Sequence, residues 1–341
     1  MNDPLIYVRA VHFAATITVA GIVFFSVLIA EPVFRKAGDD ARLPGVVRTR
    51  LAWLAWIALA LSVASGAAWL VLVAQGMSGG PLADVFSEGV LSTVVLQTGF
   101  GRIWLERFVT ACFVALVFPH LFAAVRIKAV WFKAVAVALA SAFVGMLAWA
   151  GHAVGGLGLE GIVHPAADVL HLVAAAAWLG TLLPLALVLG AAGQNTESFA
   201  LACATTMRFS AFGIASVGAL LITGAINSWY LAGSVPALAE TDYGRLLLTK
   251  IALFLVMVAI AAINRLWLTP RLRYGSDTGA AQRALRQLRR NTAAEVLIGA
   301  IIIVIVAVLG VTPPGLHEGL AHAHHSHLMH TIPIDRCALP P

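Results

Sequence analysis

Charge is scarce in this sequence. Asp, Glu, Lys and Arg make up 11% of its 341 residues, against about 25% in an ordinary water-soluble domain. With 60% hydrophobic residues and a mean hydropathy of +0.92, that scarcity excludes a soluble globular chain. Cysteine is rarer still. Cys112, Cys203 and Cys337 form no CxxC pair, which excludes a disulfide framework and a zinc ribbon and leaves buried packing as their expected role. No GxxxxGK[ST] loop, HExxH or GxSxG occurs, so neither ATP-driven pumping nor the commoner hydrolase chemistries are expected, and we read the chain as no enzyme. The first apolar segment starts near residue 5 without a basic leader. Cleavage near "VASGAA" at 63–68 would destroy a second apolar segment, so the N-terminal segment is expected to be retained.

What fills the chain instead is a series of apolar windows. A helix crossing a bilayer needs roughly 20 predominantly apolar residues, because lipid cannot satisfy a bare backbone N–H or C=O. Windows of that kind fall at about 5–30, 51–74, 103–125, 133–151, 165–190, 209–232, 246–268 and 293–313. The expected fold is therefore all-α, a polytopic membrane bundle of about eight spans over residues 1–313, with a polar tail over 314–341. The net charge of +6 does not point to nucleic acid, because it sits in alternate loops. Arg35, Lys36, Arg42, Arg48 and Arg50 follow span one, Arg126, Lys128 and Lys133 follow span three, and seven arginines from Arg265 to Arg290 follow span seven. The positive-inside rule makes those loops cytoplasmic and both termini external.

On that topology ten of the eleven histidines fall in the outer half, and only His120 lies toward the inner end. His164, Asp168 and His171 are spaced i, i+4, i+7, so one helical face carries two imidazoles and a carboxylate within an arc of roughly 60°. Ionisable groups inside a span are costly unless paired, hydrated or metal-bound, which makes this face a functional candidate. Gly151, Gly155, Gly156, Gly158 and Gly161 permit a tight turn that would bring His152 toward His164. Imidazole suits copper, zinc and nickel, and a carboxylate either ligates or orients an imidazole. The tail "HEGLAHAHHSHLMH", with His322, His324, His325 and His327, is a second metal candidate by composition. The six methionines are dispersed and form no ladder for soft Cu(I). Asn227, Lys250, Glu106, Arg107 and Glu295 read most simply as structural polar contacts or snorkelling groups.

The segments "DVLHLVAAAAWLGTLLPL" (168–185), "RFSAFGIASVGALLITGAINSW" (208–229), "TDYGRLLLTKIALFLVMVAIAAINRLWLTP" (241–270) and the glutamate of "RRNTAAEVLIG" (289–299) resemble the copper resistance protein D family (CopD/PcoD) of bacterial inner membranes. "VHFAATITVAGIVFFSVLIAEP" (11–32) and "FGRIWLERF" (100–108) are similar to its first half. The resemblance implies copper transport or homeostasis in the inner membrane, usually described as uptake, beside a periplasmic copper-binding partner (CopC-like). It also implies His12, Asp168 and His171 as copper-site positions, with Trp178 as a packing wall beside them. The expected metal set is thus His12, His152, His164, Asp168 and His171, with His120 and Glu295 as the stepping stones nominated for the inner half. Two other readings use the same residues: a b-type haem protein with imidazoles such as His12 and His171 as axial ligands, and a copper-binding accessory or sensor subunit that transports nothing.

Overall fold

In hydrocarbon the backbone has to satisfy its own hydrogen bonds, and helices do so within one segment. The computed structural model describes residues 3–37, 42–87, 89–123, 129–150, 160–192, 196–232, 235–272 and 279–312. Among these are eight helices long and apolar enough to cross a bilayer: α1 (Pro4–Phe34), α2 (Arg42–Ser78), α3 (Gly99–Phe122), α4 (Val130–Ala150), α5 (Gly161–Ala191), α6 (Thr196–Tyr230), α7 (Asp242–Arg271) and α8 (Gly279–Leu309). The described residues form no strand. With eight alternating spans, α1 starts and α8 finishes at the same face, here called the terminal end. The opposite face carries the arginine-rich connections and is called the basic end. The expected tail over 314–341 lies outside the described residues, as do His152 and the glycine-rich turn before α5.

Several spans run further than their apolar windows. α2 begins at Arg42, α6 at Thr196 and α8 at Gly279, because hydropathy marks only the stretch in lipid while the helix continues through good helix formers such as arginine. In α8 the extra turns also pack, burying Ala281, Ala284, Leu285 and Leu288. The connection after α2, between the apolar windows 51–74 and 103–125, holds two short helices, Leu82–Ser87 and Val90–Gln97. They tuck Val85 and Val94 against Ala74. Gly89 between them takes φ +72°, a conformation that glycine reaches without steric cost.

α1 is the central helix. Its most apolar stretch is 83% buried, against 11% for α7, and it packs on α2, α4, α5 and α8. The contact with α5 is backbone on backbone: a methyl group added at Gly21 would overlap the Gly180 backbone, and one added at Gly180 would overlap Ile17 O. Small residues of this kind let helices approach closely where lipid offers no hydrophobic drive for association. Toward the basic end α1 loosens into a π-turn, Phe25–Ala30, just before Pro32. Proline has no N–H to give to the carbonyl four residues earlier. Arg208 Nε of α6 donates to that carbonyl, Leu28 O, at 2.6 Å. α7 repeats the device with a π-turn at Asn264–Leu268 before Pro270. On the outside of the bundle lie Trp53, Trp131, Trp229 and Trp267, each more than 60% exposed. Their exposure matches surfaces that face lipid and its interface.

Candidate functional site

The face of α5 picked out by spacing lies against α6, and its three residues form a ladder there. His164 stacks on Tyr230, ring centroids 5.1 Å apart and planes at 16°. One turn deeper, Asn227 Nδ2 donates to Asp168 Oδ1 at 3.3 Å. Below that, His171 Nδ1 and Thr223 Oγ1 are 3.0 Å apart. The rungs match because positions i, i+4, i+7 on one helix face i, i−3, i−7 on an antiparallel neighbour.

The hydrogen bonds fix the His171 tautomer. Thr223 spends its hydroxyl proton on Ala219 O at 2.6 Å, so it can only accept from His171, whose Nδ1 carries the hydrogen. Nε2 is then a bare lone pair with no partner among the described residues. Asn227 Oδ1 is likewise buried and unpartnered. His171 and Asn227 line a cavity of about 380 Å³ with Ser228, Tyr243 and Lys250. Lys250 comes from α7 and lies within electrostatic reach of both Asp168 and His171. Gly224 leaves room at the His171 ring, since a methyl group there would sit 3.5 Å from Cε1. The chamber therefore offers one imidazole nitrogen, one amide oxygen and an ammonium group, with the Asp168 carboxylate behind Asn227, one turn from His171 toward the terminal end.

His12 lies elsewhere. It is 2% exposed and faces α2, α3 and α4, where both ring nitrogens are engaged. Nδ1 lies 3.0 Å from Ser62 O and 3.1 Å from Ser65 Oγ, and Arg107 donates to Nε2 at 2.8 Å. Arg107 also donates to Phe143 O at 2.8 Å, so one guanidinium ties α3 to α1 and to α4. Trp69 and Trp104 pack edge-on around the imidazole at 5.6 and 5.0 Å, and Arg9 lies over Trp69 at 4.5 Å. The cavity beside His12 is about 270 Å³ and shares no lining residue with the one beside His171.

The expected set is thus split. His164, Asp168 and His171 share one helix face and one partner helix, His12 belongs to a separate cluster, and His152 with the four tail histidines lies outside the described residues. Among the described residues no three His, Cys, Asp or Glu side chains are grouped closely enough to hold a metal by themselves. Sequence reading gave Arg107 as a structural polar contact or a snorkelling group, and the structure makes it the former. The available signal was its place two turns inside α3, one turn after Trp104 and too deep to reach water. Asn227 and Lys250 were noticed, but one sequence could not show that Asn227 bonds Asp168 or that Lys250 lies within its electrostatic reach.

Eight lipid-crossing helices enclosing buried histidine, carboxylate and lysine groups define a multi-pass integral membrane protein. Residues 203–309 match the family model described as copper resistance protein D. Residues 1–162 match the one described as its copper resistance protein D-like N-terminal domain. The sequence is 31% identical to copper resistance protein D of Pseudomonas syringae pv. tomato, over 94% of this chain and 100% of that protein. It is 32% identical to inner membrane protein YebZ of Escherichia coli K12, over 91% and 98%. Against copper transport protein CutJ of Bacillus subtilis 168 it is 28% identical, over 89% of this chain and 52% of that longer protein. No solved structure matches. The chain belongs to the copper resistance protein D family, and it is a multi-pass protein of the inner membrane. His164, Asp168 and His171 fall in the stretch 163–202 between the two matched models.

Proposed function

We propose that the protein carries copper across the inner membrane, from the periplasm inward, through the chamber between α5, α6 and α7. The observation that supports this most is the unspent lone pair on His171 Nε2 beside Asp168 and the orphaned Asn227 Oδ1. Such a set is left wanting a cation. Copper, borderline to soft in its ligand choice, accepts an imidazole nitrogen with a carboxylate. Thr223 acts one step removed, holding the ring in the tautomer that presents Nε2. Lys250 opposes prolonged occupancy by repelling a metal cation, which suits a transit site better than a storage site.

In this reading the terminal end is periplasmic, as the arginine-rich connections at the other face argue. Copper arrives there from a periplasmic copper-binding partner of the CopC type or from the histidine-rich tail. His164, the outermost rung of the ladder on α5, takes copper at the entrance, and His152 precedes it in the sequence. His12, with both nitrogens committed to Ser62 and Arg107, serves as a buried support for α1, α2 and α3. The haem reading is not favoured, because His12 has no nitrogen to spare as an axial ligand.

The test is copper binding by the purified protein, wild type against His171→Ala and against a chain ending at residue 315. The expected result is that His171→Ala weakens copper binding at least about 10-fold and more than tail removal does. Equal or smaller loss from His171→Ala would move the principal site to the tail. Binding without flux in sealed vesicles would favour an accessory subunit over a carrier.

A further inference from the structure

Below the copper chamber, toward the basic end, lies a second cavity of about 370 Å³ between α5, α6, α7 and α8. Trp178 and Leu221 line both cavities, so the two are neighbours across one indole ring. Trp178 is two turns beyond His171 on the same face of α5, 2% exposed and braced edge-on by Phe254 at 5.7 Å. Gly213 of α6 gives the ring its space, since a methyl group there would touch Cδ1 at 3.7 Å.

The donors of this second cavity differ in kind. Its polar lining is Thr206, Ser210, Asn264, Thr269, Thr292 and Glu295, with Arg265 at the rim and no histidine, cysteine or methionine. Glu295 is 2% exposed and has no cation at ion-pair distance among the described residues. The charged groups around it are committed elsewhere. Arg265 donates to Ser210 Oγ at 2.8 Å, Arg289 donates to Leu189 O and Ala192 O, and Arg208 donates to Leu28 O. The lining contributed by α5 holds no titratable group. Thr292, one turn earlier on the Glu295 face, has a buried hydroxyl with no partner among the described residues.

One continuous contact leads out. Exposed Gln287 donates to Asn291 Oδ1 at 2.8 Å, Asn291 Nδ2 to Asn264 Oδ1 at 2.6 Å, and Asn264 Nδ2 to Glu295 Oε2 at 3.0 Å. Each amide gives its N–H toward the carboxyl group, and Asn291 and Asn264 each take one from the amide before. Asn264 is thereby locked with its donor on Oε2, which leaves Oε1 and the Thr292 hydroxyl unspent.

A buried carboxylate inside a membrane bundle requires a balancing charge. A copper ion finds no nitrogen or sulfur donor here, and Asn264 already occupies Oε2 with an N–H that a metal ion would have to displace. We propose that Glu295 is a proton site, loaded from the basic end, and that its protonation is coupled to copper movement across the Trp178 partition. The coupling rests on the copper-carrier reading above; the proton site does not. Loading adds one proton to a carboxylate oxygen and leaves a neutral acid. A copper ion descending toward Trp178 repels that proton, which returns to the basic-end water, so one positive charge leaves the lower cavity as another approaches.

Two measurements on the full-length protein test this. Infrared difference spectra between about pH 5 and pH 9, a range wide enough to contain shifted carboxyl groups, should show a protonated-carboxyl band in the wild type. That band should disappear in Glu295→Gln, persist in Asp168→Asn and return, displaced, in Glu295→Asp. Its absence from the wild type, or its survival in Glu295→Gln, would overturn the proton site whatever copper does. In sealed vesicles, changing the pH on the basic side of the membrane alone should change wild-type copper entry several-fold and leave Glu295→Gln entry unchanged. An equal response of both proteins to the basic-side pH would overturn the coupling. A band that behaves as expected in a protein that moves no copper would retain the proton site and reject the carrier reading.

Discussion

At the level of single residues, the difference between His12 and His171 is one of hydrogen-bond arithmetic. Both imidazoles sit two to three turns inside a span on the terminal side. His171 has one neighbour able only to accept, Thr223, and keeps a free nitrogen. His12 has acceptors on one nitrogen and the Arg107 donor on the other. Thr223→Val should therefore lower copper affinity roughly 10-fold by releasing the ring orientation while leaving its ligand atom in place. Titration of the purified variant with copper checks this, and wild-type affinity would show that Thr223 orients nothing of consequence. Arg107→Met should act on stability instead. It strands His12 Nε2 and Phe143 O, each worth about 1–3 kcal/mol if left unsatisfied, so the detergent-solubilised protein should unfold at a lower temperature with copper binding per folded molecule retained. The sequence made His164, Asp168 and His171 legible because helical periodicity is a local property. The partition of His12 from them was not legible, because it depends on which way α1 turns between α2 and α5.

Among the helices, the fold is held where backbones touch and where proline frees a carbonyl. Gly180→Val puts a branched side chain against Ile17 O and should prevent α1 from docking on α5, leaving little monodisperse protein after extraction. Recovery at wild-type yield would contradict the central place given to that crossing. Arg208→Ala should be milder, a loss of roughly 1–3 kcal/mol from the uncapped Leu28 carbonyl, read as a lower midpoint on thermal unfolding. Apolar windows revealed the number and order of the spans. They did not reveal the helical extensions at Arg42, Thr196 and Gly279, since a helix can continue beyond lipid once arginines carry it and partners bury its small residues. Nor did they show the short helices Leu82–Ser87 and Val90–Gln97, which are shorter than any hydropathy window resolves.

Across the whole molecule, the arrangement is two chambers in line through the second half of the bundle, α5 to α8, and a committed histidine cluster in the first half. The upper chamber carries imidazole, amide and ammonium groups, with the Asp168 carboxylate held behind Asn227. The lower one carries oxygen donors and a carboxylate reached by a chain of amides. Trp178 stands between them. This layout gives the protein a direction once the terminal end is periplasmic, and that placement predicts that a reporter active only outside the cytoplasm will be active when fused after residue 312 and silent when fused in the connection between α7 and α8. The reverse pattern would invert the path. The central claim is that copper passes the α5–α6–α7 chamber, and copper entry into sealed vesicles holding wild-type or His171→Ala protein tests it most directly. The account predicts time-dependent entry with the wild type and at least about a 10-fold slower rate with His171→Ala, at equal amounts of folded protein. Equal entry rates for the two would contradict it.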